Sequence, residues 1–327
     1  MSGAIYAVLA SGLVLTYQTS GIFNFAHGAI AFSTAFFFFQ LNQPVANGGR
    51  GLPIAVSAVL SVGVFAPALG LVLDRIALRR LAHAPEAARA VGTIGLLVAL
   101  PGLALWCVEQ ANDVLDWGLP TNEQVFRPPG LGPSPKLTWR VLEGVTLDSN
   151  QVAVFAGAVI AALALWLLLR HTRLGLETRA AVDRPALAHL RGIDVQRRSA
   201  VSWMLSATLA GLGGVLIAPI FQLDWFVYVA LVFASFTAAV FGRMRSIPLV
   251  FAGGLLLGVT QNLVQGYAPE VLTDISGFRT AVPFLLLLGL LVWRGAERGR
   301  AAGSVAEEAP PPDPRAGLPT WRRRLPG

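Results

Sequence analysis

Apolar residues are grouped into long runs, which short polar intervals separate from the N-terminus to about residue 293. Several runs reach or approach the roughly 20 residues that a helix needs to cross a bilayer. The runs are Gly3–Tyr17, Phe25–Leu41, Leu52–Leu73, Val91–Val108, Val152–Leu169, Ala200–Phe221, Phe226–Phe241, Ile247–Tyr267 and Ala281–Trp293. The pattern predicts an all-α polytopic membrane protein with about 8–9 transmembrane helices.

The first two runs are short, and the polar string QTSGIFNFAHG lies between them. This string is compatible with two spanning helices, or with one span followed by a segment that is broken inside the protein. Non-helical backbone is tolerated at membrane depth only where protein or a water-filled cavity covers it. We favour two helices, with a broken N-terminal region near Ser20–Asn24.

Composition supports a membrane protein and argues against a metal site or a catalytic site in this chain. Charged residues make up only 13% of the sequence, whereas a soluble domain has about 25%. A single cysteine excludes an intrachain disulfide, and four histidines without a Cys/His cluster argue against a metal site. No phosphate-binding GxxxxGK[ST], nucleophile elbow or HExxH string occurs. The sequence therefore predicts neither an enzyme nor a metalloprotein.

The net charge of +7 follows the membrane topology, so it does not indicate nucleic-acid binding. Most Lys and Arg residues lie in the intervals 74–90, 170–199 and 242–247 and in the tail from Arg294. Cytoplasmic loops carry such an excess. This distribution predicts nine spans with the N-terminus outside and the C-terminal tail in the cytoplasm. The tail is rich in proline and charge, which predicts disorder.

The interval 171–199 contains the string PALAHLRG, which predicts a short helix outside the membrane. Pro185 suits the first turn of a helix, and Gly192 suits the position just after its end. Leu187 and Leu190 are three residues apart, so they share one face of that helix. A capped helix with an apolar face predicts a docking site for a partner.

The string GIFNFAHG places Asn24 and His27 between the two N-terminal runs. We expect the Asn24 side chain to cap a helix that begins at Phe25, with His27 one turn further on. Such a helix start within the membrane would direct its positive end at an anionic group, such as a substrate carboxylate. A packing motif that allows two helices to approach closely is the alternative.

Small residues four apart occur on two predicted spans, at Ala207/Gly211, Ala210/Gly214 and Gly254/Gly258. Such spacing favours close helix packing, because lipid gives helices no hydrophobic drive to associate. Gln261 and Gln265 follow on one helical face. They are candidates for a polar substrate pathway, and interhelical hydrogen bonding is the alternative.

Three blocks of sequence carry a family resemblance. The first is Gly12–Phe32 with NFAHG complete at Asn24–Gly28, and the second is Thr172–Arg197 with its Thr-x-x-Gly, Arg-Ala and Gly-Ile strings. The third consists of AGLGGVL at 210–216 and the string FTAAVFGRMRSIPLVFAGGLLLG at 236–258. Over about residues 3–293, the chain resembles permease subunits of bacterial ABC importers for branched-chain amino acids.

The resemblance implies a permease domain at 1–294, a coupling loop at 171–199 within it and a disordered cytoplasmic tail at 295–327. It implies that residues of the coupling loop contact an ATPase: Arg179, Pro185, Leu187, Leu190 and Gly192. Partners would be two ATPase subunits holding ATP and Mg, a second related permease, an extracytoplasmic substrate-binding protein and membrane lipid. No cofactor is expected in this chain, and its location would be the bacterial cytoplasmic membrane.

Other functions remain open at the level of the sequence. Family relatives assigned to urea or short amides make these substrates an alternative to branched-chain or other small amino acids. A stand-alone secondary transporter would need charged residues inside the spans, but Asp74 and Glu109 lie at span ends. A membrane-embedded enzyme is disfavoured because no catalytic cluster is evident. In the third block, Arg243, Met244 and Arg245 stand where the family has small residues.

Overall fold

The computed structural model describes a predominantly helical chain. The described residues are 1–21, 23–44, 49–81, 84–119, 128, 130–132, 137–142, 145–183, 190, 194–221, 223–244, 246–267 and 278–304. Residues Met1–Leu285 form one compact unit, and a second unit begins at Leu286. The sequence-based boundary between the permease domain and the tail, at 294, lies within the last helix.

Ten helices and one β-hairpin occur within the described ranges. The helices are α1 Ser2–Ser20, α2 His27–Asn42, α3 Ile54–Leu81, α4 Glu86–Leu115, α5 Ser149–His171, α6 Arg173–Asp183, α7 Val195–Ile217, α8 Trp225–Phe241, α9 Ile247–Tyr267 and α10 Phe278–Ser304. Two stretches of α3, Val59–Phe65 and Asp74–Leu78, are π-helical. The hairpin strands are β1 Thr138–Leu142 and β2 Val145–Asp148, which pair antiparallel.

Five of these helices are long and apolar enough to cross a membrane. They contain the segments Ile54–Leu81, Ala87–Leu115, Ser149–His171, Gln196–Ile217 and Ile247–Val264. Two further apolar helices are shorter, at Trp225–Phe241 and Ala281–Trp293. The chain is thus mostly helical with several membrane-spanning candidates, and the larger count of nine spans stays a prediction.

Helix α1 lies at the centre of the first unit. It is apolar on all sides, and its residues from Gly3 to Thr16 are buried. A helix without a polar face is stable only where other helices surround it. Helices α7, α8 and α9 pack around α1, whereas α5 exposes most of its apolar surface. The two long apolar stretches that flank the coupling loop, α5 and α7, therefore have different environments.

The predicted break between the first two helices is confirmed, but the prediction that the Asn24 side chain caps the second helix was wrong. Helix α1 ends at Ser20, and Gly21 adopts a left-handed conformation with φ of 63°. Helix α2 begins at His27 rather than Phe25, and it has no side-chain cap. Asn24 contributes its backbone carbonyl, which accepts a hydrogen bond from the His27 N–H at 3.3 Å. Because this backbone turn precedes the helix, the Asn24 side chain is too early in the chain to cap it.

Several boundaries differ from those expected. Helix α3 continues to Leu81, so the interval from 74 to 90 is not wholly a loop. Asp74, the first residue of that interval, is buried, and its carboxylate pairs with Arg79 at 3.1 Å. This ion pair allows the helix to continue past a charged position. Helix α10 extends to Ser304, so the start of the predicted tail is helical. The remainder of that tail lies outside the described residues.

The turn between α8 and α9 has a strained backbone. Arg243 and Met244 both adopt left-handed conformations, with φ of 57° and 55°. A side chain in this region costs about 1–2 kcal/mol, and glycine avoids that cost. The conformation is fixed by hydrogen bonds: the Met244 N–H donates to Ala239 at 2.9 Å, and Gln18 Nε2 donates to the Met244 carbonyl at 3.0 Å. The fold thus keeps a turn suited to glycine without having one at these positions.

Replacing Arg243 and Met244 together with glycine is expected to stabilise the purified protein by about 1–2 kcal/mol, because the left-handed strain is removed. The measurement is the midpoint of thermal unfolding in detergent. Replacing both with alanine is the matched control, since alanine removes the same side chains but keeps the strain. Equal midpoints for the glycine and alanine variants would contradict the assignment of strain to this turn.

Candidate functional site

A cavity of about 410 Å³ lies among α1, α8, α9 and the start of α10. Its volume is within the range of about 300–1,000 Å³ that small-ligand pockets usually have. Most of its wall is apolar, from Phe221, Phe226, Val227, Ala230, Leu231, Ala234, Val264, Phe278, Val282 and Pro283. Such a wall suits the apolar part of a small molecule.

Polar groups are grouped on one part of the cavity wall. Ser2 and Tyr6 come from α1, and Gln261 and Asn262 come from α9. The side chains of Tyr6 and Gln261 face each other across the α1–α9 contact, and Asn262 Nδ2 donates to the Gly258 carbonyl at 2.8 Å. Among the described residues that line the cavity, none is charged. The cavity therefore combines a mostly apolar wall with hydroxyl and amide groups that could bind a ligand.

Gln261, a candidate for the substrate pathway, thus lines the cavity. A pathway residue would have such a position. Gln265 lies one turn further along α9, and the structure describes only its backbone. Tyr6 was missed by the sequence analysis because it stands in the continuous apolar pattern of α1. No period or motif separates a core tyrosine from one at a cavity. Its position emerges only from the packing of α1 against α9.

Asn24 and His27 do not line this cavity. His27 is fully buried, and the Ser206 hydroxyl lies 3.4 Å from its Nδ1. That hydroxyl also donates to the Gly12 carbonyl at 2.9 Å. A Cβ added to Gly12 would lie only 2.7 Å from His27 Cε1, so the glycine leaves the space that the imidazole occupies. The histidine is held where α1, α2 and α7 meet.

Asn24 has a different environment. Its side chain is only 1% exposed, and neither Oδ1 nor Nδ2 has a hydrogen-bond partner in the structure. The neighbouring Phe23 and Phe25 rings pack against Phe236 and Phe233 of α8. A buried amide without partners is costly. This side chain therefore has free hydrogen-bonding capacity for a small polar molecule.

The four glycines singled out for helix packing all lie against neighbouring helices. A Cβ at Gly214 would be 2.3 Å from the Ala31 carbonyl oxygen of α2, and one at Gly211 would be 2.7 Å from Thr34 Cγ2. On α9, a Cβ at Gly254 would be 2.6 Å from Ala7 Cα. At Gly258 the same atom would be 2.3 Å from Gly3 Cα. No side chain fits at such distances without a shift of backbone.

The coupling loop is described only in part. Pro185, Leu187 and Gly192 lie outside the described residues, and Leu190 is the one residue of the predicted short helix that the structure describes. Leu190 is helical and 83% exposed. Arg179 lies in α6, and the structure describes only its backbone. The roles assigned to these residues stay predictions.

The described ranges contain no group of three His, Cys, Asp or Glu residues placed to hold a metal ion. Cys107 is a free, exposed thiol on α4. The polar groups at the cavity are amides and hydroxyls, which orient ligands but do not supply a catalytic set.

Comparison with known proteins assigns the family. The high-affinity branched-chain amino acid transport system permease protein LivH of Escherichia coli is 25% identical over 289 residues, covering 88% of this chain and 90% of LivH. BraD of Pseudomonas aeruginosa, which has the same description, is 26% identical over 296 residues, covering 89% and 90%. A probable LivH of Methanocaldococcus jannaschii is 24% identical, covering 88% and 86%.

No solved structure shows a significant match to the chain. The sequence of residues 1–291 matches the family described as branched-chain amino acid transport system / permease component. This range includes α1 to α9, the cavity and the coupling loop. The chain therefore belongs to this family of ABC transporter permeases and is a multi-pass membrane protein.

Proposed function

We propose that the chain is the transmembrane permease subunit of an ATP-driven importer, which carries branched-chain or related small amino acids across the bacterial cytoplasmic membrane. The observation that carries the proposal is the cavity of α1, α8 and α9, which lies inside the family's matched range. Its wall is mostly apolar with hydroxyl and amide groups at one part. An apolar side chain and a polar backbone of one small molecule would find partners there.

The family match supports the partners of such a subunit. Two ATPase subunits would bind and hydrolyse ATP with Mg, a second related permease would complete the pathway, and an extracytoplasmic binding protein would deliver substrate. The chain itself would have neither cofactor nor catalytic residues. The tail would lie in the cytoplasm, on the side of the coupling loop. This arrangement follows the excess of Lys and Arg in both segments.

Urea or a short amide is a second candidate substrate, and one feature of the cavity lining, its lack of charge, supports it. Among the described lining residues there is no charge to pair with the carboxylate or ammonium of an amino acid, whereas Gln261 and Asn262 suit a neutral amide. Competition separates the two candidates. In proteoliposomes containing the assembled importer, excess unlabelled leucine should block uptake of labelled leucine, and urea should not. The reverse specificity would favour the amide substrate.

Replacing Gln261 with leucine is expected to lower uptake about tenfold, because a hydrogen bond in the translocated state contributes about 1–1.5 kcal/mol. Thr260→Val is the matched control on the same helix. Its hydroxyl donates to the Leu256 carbonyl at 2.9 Å, and it does not line the cavity. Equal uptake by the Gln261→Leu variant and the wild type, at equal expression, would remove Gln261 from the pathway.

Asn24 and His27 remain candidates for the pathway, away from this cavity. Their burial supports packing, whereas the two unpartnered Asn24 atoms support contact with a polar molecule. Transport by an Asn24→Ala variant distinguishes the two roles. Reduced uptake at normal expression would support the pathway, and normal uptake would leave only packing.

A further inference from the structure

An ion pair joins α6 and α7, the helices on either side of residues 184–193 within the coupling loop. Arg198 Nη2 of α7 contacts Glu177 Oε2 of α6. Their side chains are only 22% and 32% exposed, so the pair is partly shielded from solvent. A shielded pair is stronger than an exposed one, and loss of one partner leaves the other charge poorly compensated. The pair therefore fixes α6 against α7 at the two ends of residues 184–193.

Polar contacts continue from this ion pair along one side of α7. Ser202, one turn after Arg198, donates its hydroxyl to the Arg198 carbonyl at 3.0 Å. Ser206, one turn further, donates to Gly12 of α1 and lies 3.4 Å from His27 of α2. Residues spaced by four lie on the same side of a helix. One side of α7 thus contacts α6 near the loop and the α1–α2 region within the bundle.

We propose that Glu177 and Arg198 are positioning residues that couple the segment 184–193, where an ATPase would act, to the transmembrane bundle through α7. This inference rests on the proposed function, because it requires an ATPase to act on the loop. Helix α7 also packs tightly against α2 and α3: a Cβ at Gly214 would be 2.3 Å from the Ala31 oxygen, and one at Gly70 would be 2.7 Å from the Trp203 oxygen. Interfaces packed this closely have low compressibility and transmit strain. A displacement of α6 would therefore act on α7 through this ion pair, in addition to the direct packing of the two helices.

A neighbouring ion pair provides the matched control. Asp194 and Arg197 lie 3.7 Å apart at the start of α7, within a single turn. Their side chains are 54% and 84% exposed. This pair does not reach α6, and solvent screens it. Arg197→Gln removes the same charge as Arg198→Gln, one residue away, without separating the two helices.

The test uses the full-length chain in the assembled importer, reconstituted in proteoliposomes, and measures substrate molecules transported per ATP hydrolysed. Glu177→Gln and Arg198→Gln are each expected to lower this ratio about fivefold or more, while the ATPases remain bound and still hydrolyse ATP. Arg197→Gln is expected to leave the ratio unchanged. The charge reversal Glu177→Arg with Arg198→Glu is expected to restore at least part of it.

The outcomes separate this inference from the proposed function. If the wild-type chain binds no ATPase, the proposed function fails. If ATPases bind and Glu177→Gln transports as many substrate molecules per ATP as the wild type, the ion pair has no coupling role. A loss with Glu177→Gln that charge reversal does not restore, together with an equal loss in Arg197→Gln, would also overturn the inference, because any change of charge near the loop would then have the same effect.

Discussion

Replacing Leu187 and Leu190 together with aspartate is expected to abolish uptake and the co-purification of ATPase subunits, while the chain still inserts into the membrane. Leu190 is 83% exposed in this chain, which is the exposure expected of an apolar side chain that binds a partner subunit. A carboxylate in the centre of a docking surface must lose its hydration without gaining a counter-charge. The measurement is ATPase recovery with the tagged chain from detergent-solubilised membranes, together with uptake in cells.

Leu176→Asp is the control for this pair of substitutions. Leu176 lies on α6, before the predicted docking helix, and is 62% exposed. It introduces a carboxylate on an exposed leucine of the same loop region without altering the predicted docking face. ATPase recovery is therefore expected to remain normal. Unchanged ATPase recovery with the double variant would remove the coupling role from residues 185–192.

Gly258→Ala is expected to destabilise the protein by about 1–3 kcal/mol, which is the usual cost of overpacking. The added Cβ would lie 2.3 Å from Gly3 Cα and 2.4 Å from Gly3 N, so the backbones of α1 and α9 must separate. This separation would also displace Tyr6 and Gln261, which meet across the same pair of helices at the cavity. We expect a lower midpoint of thermal unfolding in detergent and reduced uptake.

Gly266→Ala on the same helix is the matched control. A Cβ there would meet no atom within 4 Å. Alanine is favoured over glycine inside a helix by about 0.5–1 kcal/mol, so this variant should be as stable as the wild type or slightly more stable. Equal destabilisation by both substitutions would show that loss of glycine, rather than the contact with α1, determines stability.

The sequence predicted the elements that depend on local pattern. Long apolar runs became helices, and the break at Ser20–Asn24 was confirmed because Gly21 supplies a left-handed helix end. The boundaries were less predictable. Helix α3 extends past Asp74 because Arg79 pairs with this buried carboxylate, and a run of hydropathy does not reveal such a contact. Asn24 was predicted as a cap because it precedes Phe25, where a helix was expected to begin, whereas the helix begins at His27 after a backbone turn.

The hairpin of β1 and β2 was missed although a signal was present. The strings TWRVL and VTLD are rich in residues that favour strands, and Glu-Gly separates them by two positions. These strings lie in the polar interval between two predicted spans, where an irregular loop was expected. Asp148 ends β2 and also caps α5, with its side chain accepting from the Asn150 N–H at 3.4 Å. The hairpin is thus directly attached to a membrane-spanning candidate.

The cavity could be predicted only in part. Gln261 stood out as a polar residue in an apolar run, but Tyr6 did not, because its neighbours and burial resemble those of any core residue of α1. The two meet only because glycines at 3, 254 and 258 allow α1 and α9 to approach closely. Sequence spacing identified the glycines on α9. That α1 is the helix packed against them could be seen only in the three-dimensional structure.

The central claim is that this permease works as a subunit of an ATP-driven assembly. The most direct measurement is affinity purification of the tagged, full-length chain in mild detergent, followed by mass spectrometry of the proteins recovered with it. We predict recovery of ATPase subunits and a second related permease. A chain recovered alone that still transports substrate into vesicles without ATP would contradict the claim and identify it as a secondary transporter.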